Sequence, residues 1–369
     1  MMQPANISQP DGRFAAARSI LTQAIVRRAF PGCAWGVLHR GRIAAIEAAG
    51  RFTYEAQSPM VDPGTVFDLA SVTKVLATTA AAMLLYDRGV LDLDARLGDI
   101  LPGFIVGMVR GSGKERVTLR MLLAHCSGLP GYVPLFRDAS TPEALVRAAL
   151  QLPLEAEPGS RTEYSDIGFI LLGKALELLA RQRLDRLCEG EIFSPLGLKT
   201  ARFRPPAEMR TSIPPTENDT SFRCRVIQGE VQDENCFVLG GVSGHAGVFA
   251  NVEDLLLFAQ AILARGRTPT GEQLFRPETV DLFTTRQGEG AAARALGWDV
   301  PTPPSSSGRC FGPRSVGHLG YAGTSLWIDP DRQLGVVLLT NRTWPDRAGN
   351  AIREVRPAFH DAVVEAFPG

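Results

Sequence analysis

Residues 67–86 (FDLASVTKVLATTAAAMLLY) constrain the fold of this chain more than any other stretch. From Ser71 onward they are alanine-rich and apolar on most faces. The helix they predict must therefore be enclosed by other elements rather than laid on a surface. Inside it sits Lys74, three residues after Ser71, and a cation is costly to enclose. Of the chain's 39 basic residues only four are lysines, namely Lys74, Lys114, Lys174 and Lys199. Arginine stays charged in proteins, whereas a desolvated lysine can lose its proton and act as a base. Serine and lysine three apart share one helix face, so the pair points to an activated serine nucleophile.

The composition suits a large soluble globular protein: 369 residues, 45% apolar, 21% charged and a formal net charge of zero. That balance does not favour a nucleic acid or an anionic membrane as partner. No apolar run is long enough for a transmembrane helix. The start, MMQPANISQPDGRF, lacks the basic and apolar regions of a secretory signal, so a cytoplasmic location is expected, or a periplasmic one if a leader was removed. The six cysteines are scattered without a CxxC pair, which argues against zinc-ribbon and thioredoxin-like readings; they are expected to be reduced. No cofactor is expected. Oligomeric state leaves no signal in the sequence.

Along the chain, residues 13–30 carry apolar positions at helical spacing. CAWGVLH and RIAAIEAAG, joined by Arg40-Gly41, read as a β-hairpin. From about residue 90 to 200 the signals are mostly helical, including a helix capped by Thr141 with Pro142 in its first turn, and the run SDIGFILLGKALELLARQ. The glycine-rich GGVSGHAGVFA precedes a helix capped by Asn251. HLGYAGTSLWIDPDRQLGVVLLTNR then gives a hairpin around Asp329-Pro330-Asp331, and NAIREVRPAFHDAVVEAF a final helix, with a kink allowed at Pro357. This order predicts an α+β fold: an antiparallel sheet flanked by the N- and C-terminal helices. Residues 1–70 and 200–369 would form the sheet domain and 71–199 an inserted, mostly helical one, with the active site in the cleft between them.

Three short motifs carry chemistry. If Ser71 opens its helix, its N–H and the helix dipole can stabilise an oxyanion. Burial is expected to lower the pKa of Lys74. Tyr164, in Tyr164-Ser165-Asp166 at the start of a helix, could pass protons beside a lysine. His318-Leu319-Gly320 is read as opening a late strand, and the next N–H, from Tyr321, offers a second oxyanion donor. In this order, SxxK, tyrosine triplet and HxG triplet resemble the serine β-lactamase and penicillin-binding superfamily. The resemblance is strongest to the branch of class C β-lactamases, small D,D-peptidases and family VIII carboxylesterases. It runs from about residue 15 to 365, supported by MLLAHCSGLPGY, DENCFVLGGVSGHAGVFANVEDLLLFAQ and GHLGYAGTSLWIDP.

The resemblance implies a sheet-plus-helical-lobe fold and a two-step acyl-enzyme mechanism. Ser71 would be the nucleophile, Lys74 its base or base partner and Tyr164 the proton shuttle. The N–H groups of Ser71 and Tyr321 would form the oxyanion hole. Asp166, His318, Leu319 and Gly320 would contact substrate; Ser165-Asp166-Ile167 offers an SxN-like alternative to the tyrosine triplet. Three positions depart from the pattern. Asp166 replaces an asparagine and could instead pair with Lys74 and hold it charged. His318 replaces a lysine and should be mostly neutral. Leu319 replaces a hydroxyl residue and cannot hydrogen-bond a substrate carboxylate. The expected function is hydrolysis of a small ester, amide or β-lactam through an acyl-serine, with carboxylesterase activity favoured over D,D-carboxypeptidase or weak β-lactamase activity. A non-catalytic ligand-binding or scaffold protein on the same fold is the alternative from another class.

Other residues read more plainly. His125 is expected to be structural, and His245 to sit where glycines allow close backbone approach. Glu217, Asp219, Asp233 and Glu234 are read as solvated loop carboxylates rather than metal ligands. Trp298 and Trp327 should pack, and Gly111-Ser112-Gly113-Lys114 should be a loop.

Overall fold

The computed structural model describes residues 11–106, 111–288 and 294–367. Its main sheet is antiparallel and five-stranded, built from β1 (Gly32–His39), β2 (Arg42–Gly50), β3 (Val316–Leu319), β4 (Ser325–Asp329) and β5 (Leu334–Thr340) in the order β2-β1-β5-β4-β3. Both expected hairpins form. At the first, Arg40 and Gly41 have φ of 49° and 73°, the left-handed pair that matches the twist of a two-residue hairpin. The second pairs β4 with β5 from Leu334–Asp329 to Leu338–Ser325. The HxG triplet differs from expectation: His318 and Leu319 close β3 instead of opening a strand, and Gly320 lies in the turn to β4.

Alternation along the strands sends side chains into two cores. Trp35, Val37, Val336 and Leu338 face helices α1 (Ala15–Val26) and α5 (Ile352–Glu365), with Phe14, Phe359 and Trp327 filling the layer. Ala34, Leu38, Val337 and Leu339 face the other way, toward α4 (Val252–Leu263) and the helical half of the molecule. Gly36 is required there, since a Cβ would lie 2.5 Å from Val252 Cγ1. Trp298 stacks on Phe258 in this second core, at a ring separation of 6.0 Å. Helix α5 runs through Pro357 without a break. An α+β architecture follows, with terminal helices on one face of the sheet.

The apolar segment from Ser71 onward is largely buried but is not one α-helix. Ala70–Val72 form a 3₁₀ turn, Lys74–Thr79 a π-helical turn, and only Ala80–Asp87 (α2) are α-helical. Polar side chains explain the irregularity. Thr73 Oγ1 accepts from Val248 N–H, and Thr78 Oγ1 donates to Gly244 O. Both bonds tie the segment to the backbone of residues 244–248, and wide turns of this kind recur at functional sites.

Candidate active site

The backbone just before Ser71 is held in an uncommon conformation. Ala70 has φ of 47°, a left-handed value that costs a non-glycine residue roughly 1–3 kcal/mol. Buried Asp68 stabilises it by accepting the Ala70 N–H at 2.8 Å, and its other oxygen accepts Gln232 N–H at 2.8 Å. Burial, only partly offset by these bonds, pushes the Asp68 carboxyl up to about 6. The turn projects Ser71 into a cleft of about 690 Å³.

Lys74, fully buried, donates to Ser71 Oγ at 2.9 Å, Asp166 Oδ1 at 2.6 Å and the His245 carbonyl at 3.0 Å. Three acceptors saturate the ammonium's three N–H groups. Asp166 sits in the first turn of α3 (Asp166–Ala180), capped by Ser165 Oγ on Gly168 N–H. The His245 carbonyl arrives because two glycines let a loop touch α3. A Cβ on Gly173 would lie 2.8 Å from Gly244 N, and one on Gly244 2.1 Å from Phe169 O. Behind that loop, Ser243, His245 and Asp233 are linked by two 2.8 Å bonds. This has the composition of a nucleophilic triad, but Ser243 and His245 are buried and the set serves to hold the loop.

The expectation of a lowered Lys74 pKa is overturned. Burial does push it down, but Asp166 and Tyr164 outweigh burial, and the amine lies above its ordinary value. Tyr164 immediately precedes the α3 cap. Its ring lies 4.8 Å from Lys74 Nζ, 4.7 Å from the His125 ring and 5.9 Å from the His318 ring. Burial raises the Tyr164 hydroxyl above its usual range, against the pull of the Lys74 charge. At rest the site therefore pairs a charged lysine with a neutral phenol.

These residues lie within a recognisable frame. The Beta-lactamase family model matches residues 17–358. The chain belongs to the beta-lactamase family. A protein of Escherichia coli (strain K12) named "Putative D-alanyl-D-alanine carboxypeptidase" is 36% identical, over 76% of this chain and 69% of that one. The N-acetylmuramyl-L-alanine amidase of Bacillus subtilis (strain 168) is 32% identical, over 93% of this chain and 85% of that one. Among solved structures, "EstCE1, a hydrolase with promiscuous acyltransferase activity" superposes with a TM-score of 0.78 at 24% identity, covering 95% and 98% of the two chains. As a member of the beta-lactamase family the chain is a serine hydrolase.

In this beta-lactamase-family cleft the remaining sequence candidates are also placed. His318 is buried, with Nδ1 2.8 Å from the Leu319 carbonyl. Burial, then Lys74 and Arg294, push its pKa well below the usual value, so it is neutral. Leu319, Gly320 and Tyr321 line the opposite wall. The N–H groups of Ser71 and Tyr321 have no hydrogen-bond partner among the described residues. His125 accepts the Ser165 N–H on Nδ1 at 3.0 Å, stacks on Phe169 and packs against the tilted Tyr164 ring, which makes it a support for Tyr164.

The expectation of solvated loop carboxylates is overturned. Glu217, Asp219 and Glu234 are buried, not solvated. Arg347 bridges Glu217 and Glu234, Arg223 pairs with Asp219, and Asp233 holds His245. Arg294, Arg342, Arg347, Arg353 and Arg356 line the cleft. Of these, Arg342, Arg353 and Arg356 have no carboxylate partner among the described residues. In an arginine-rich chain the residue type carries no local signal. Only the fold brings these positions together. No helix among the described residues is long and apolar enough to cross a membrane.

Proposed function

We propose that the chain hydrolyses a small amide bearing a free carboxylate, through an acyl-Ser71 intermediate. The observation that carries the proposal is the Ser71–Lys74–Asp166 chain at the foot of a cleft walled by guanidinium groups, three of which have no carboxylate partner among the described residues. Leu319 removes a hydroxyl from carboxylate recognition, but arginine is a stronger carboxylate donor than the group it lacks. The names of the two relatives, a carboxypeptidase and an amidase, support an amide next to an amino acid.

A charged Lys74 cannot accept the serine proton. In our reading Ser71 Oγ attacks the carbonyl carbon and passes its proton to the Tyr164 oxygen. Tyr164 gives its own proton to the departing nitrogen in the same step. The relay forms no free phenolate, and the Lys74 ammonium stabilises the negative charge that builds on the oxygens between. The N–H groups of Ser71 and Tyr321 receive the carbonyl oxygen. Water then repeats the relay in reverse, returning a proton to Ser71 as the ester bond breaks. A second reading, carboxylesterase, is supported by Leu319 in the wall.

The test compares kcat/KM for an N-acylated D-Ala-D-Ala peptide, N-acetylmuramyl-L-alanine, p-nitrophenyl butyrate and nitrocefin, with Ser71→Ala as blank. A carboxylate-bearing amide should lead. If the butyrate ester leads both amides, the esterase reading replaces it. A fluorophosphonate should label the wild type and not Ser71→Ala; no labelling and no turnover would favour a ligand-binding protein.

A further inference from the structure

Arg356 is the most deeply buried guanidinium in the cleft wall, 7% exposed, and has no carboxylate partner among the described residues. Burial, reinforced by nearby Arg342, pulls it down to about 9. Its Nε is buried without a partner. Nη2 donates to two backbone carbonyls, Gly320 O at 2.6 Å and Thr324 O at 2.8 Å. Both carbonyls belong to the tight turn between β3 and β4. Placing an uncompensated cation there is expensive, and the turn it grips follows directly on the cleft wall.

The peptide geometry gives the grip a consequence. A trans peptide holds its C=O and N–H in opposite directions. Gly320–Tyr321 is not among the cis bonds of the chain. With the Gly320 oxygen drawn back onto Arg356 and onto Gly323 N–H at 3.0 Å, the Tyr321 N–H on the same peptide must point away from the α5 side. It has no partner within the described residues. From the other side, Thr324 Oγ1 donates to Leu69 O at 2.8 Å, which fixes the turn to the segment that carries Ser71. The next carbonyl, Tyr321 O, is held by Arg342 Nε at 2.7 Å. Gly320 leaves no slack: a Cβ there would sit 2.0 Å from Thr324 Oγ1 and 2.3 Å from Leu69 O.

We propose that Arg356 is a positioning residue that locks the Gly320–Tyr321 peptide, so that the Tyr321 N–H is set in advance as an oxyanion donor for acyl-Ser71 chemistry. The proposal rests on the hydrolase reading above. Freed from Arg356, that peptide can rotate, turning its carbonyl toward the cleft and removing one of two donors.

The experiment uses neutral substrates, so that any carboxylate binding by Arg356 plays no part. The kcat and KM of p-nitrophenyl acetate and its thionoester analogue, O-(p-nitrophenyl) thionoacetate, are measured in wild type, Ser71→Ala, Arg356→Met and Arg356→Lys, each checked for its melting transition. A working oxyanion hole favours oxygen over the larger, weaker acceptor sulfur. Arg356→Met should lose about 100-fold in kcat with KM changed little, as for loss of one oxyanion donor. Its oxo-to-thiono ratio should fall by about tenfold, and Arg356→Lys, which keeps the charge but not the planar fork, should move the same way by less. A folded Arg356→Met with the wild-type ratio overturns the proposal. If that variant does not fold, an unchanged rate and ratio in Arg356→Lys overturns it instead. Absence of Ser71-dependent turnover in the wild type would remove the hydrolase reading itself, a separate outcome.

Discussion

Two lysines are buried in this molecule, and they are treated in opposite ways. Lys74 meets a carboxylate, a hydroxyl and a carbonyl, and its pKa rises. Lys114, 2% exposed, has one carbonyl, Leu150 O at 2.8 Å, and the face of Phe104 at 4.5 Å. Burial alone acts on it, and its pKa falls. The desolvated lysine that makes a good base in isolation is thus the one outside the cleft. Within the cleft the fold supplies an anion that keeps the amine charged. Burial of a lysine is therefore a poor guide to a general base until its partners are known.

The largest expected effect separates the two by activity. Lys74→Met should lower kcat/KM at least about 1000-fold, because both the hydrogen bond to Ser71 and the positive charge are lost. Lys114→Met should stay within about twofold of wild type, since Lys114 lies outside the cleft. Comparable losses in both variants, measured on the same ester, would mean that Lys74 is only a structural cation.

A second variant should turn one lysine into the other. Asp166→Asn removes the anion and leaves Lys74 buried with neutral acceptors, as Lys114 is. Breaking a buried pair in this way should cost roughly 3 kcal/mol at neutral pH, read by urea unfolding. The pH dependence should also change sign. In the wild type the raised pKa of Lys74 contributes stability that is complete below its ordinary value of 10.5 and is lost as pH rises through the folded value. In Asp166→Asn burial dominates, the folded pKa drops below 10.5, and stability should rise with pH in the window beneath that value. An unchanged alkaline slope would show that Asp166 does not hold the charge.

The comparison also marks how far sequence reasoning reaches. Ser71 and Lys74 were legible because three-residue spacing is a local property of a helical turn, and Tyr164 because it abuts the start of a capped helix. The hairpins were legible from Arg40-Gly41 and Asp329-Pro330-Asp331, whose turn chemistry is local. Asp166 was visible as a departure, and its pairing with Lys74 was one of two outcomes the sequence left open. The π-helical turn at Lys74–Thr79 was not legible, since it depends on Thr73 and Thr78 finding partners more than 160 residues away. Arg356 and Arg342 were invisible for the same reason: Arg356 Nη2 and Arg342 Nε reach carbonyls of the β3–β4 turn, and no periodicity links either residue to a distant carbonyl. The buried state of Glu217 and Glu234 required Arg347, which arrives from a segment more than 110 residues later.

The smallest predicted effect tests the simpler lysine. Lys114→Met keeps most of the side chain's apolar length, removes a buried cation that has no anion, and forfeits the bond to Leu150 O and the cation contact with Phe104. These terms oppose one another, so stability at pH 7 should change by no more than about 1 kcal/mol. Its pH dependence is more telling than its size. A lowered pKa in the fold means that the unfolded chain binds more protons between the folded value and 10.5, so the cost of enclosing Lys114 shrinks as pH climbs through that window. Wild type should therefore gain on Lys114→Met as pH rises from the folded value to 10.5, with the difference levelling off above 10.5. A difference independent of pH would show that Lys114 remains as solvated in the fold as in the unfolded chain, and the contrast with Lys74 would then rest on Asp166 alone.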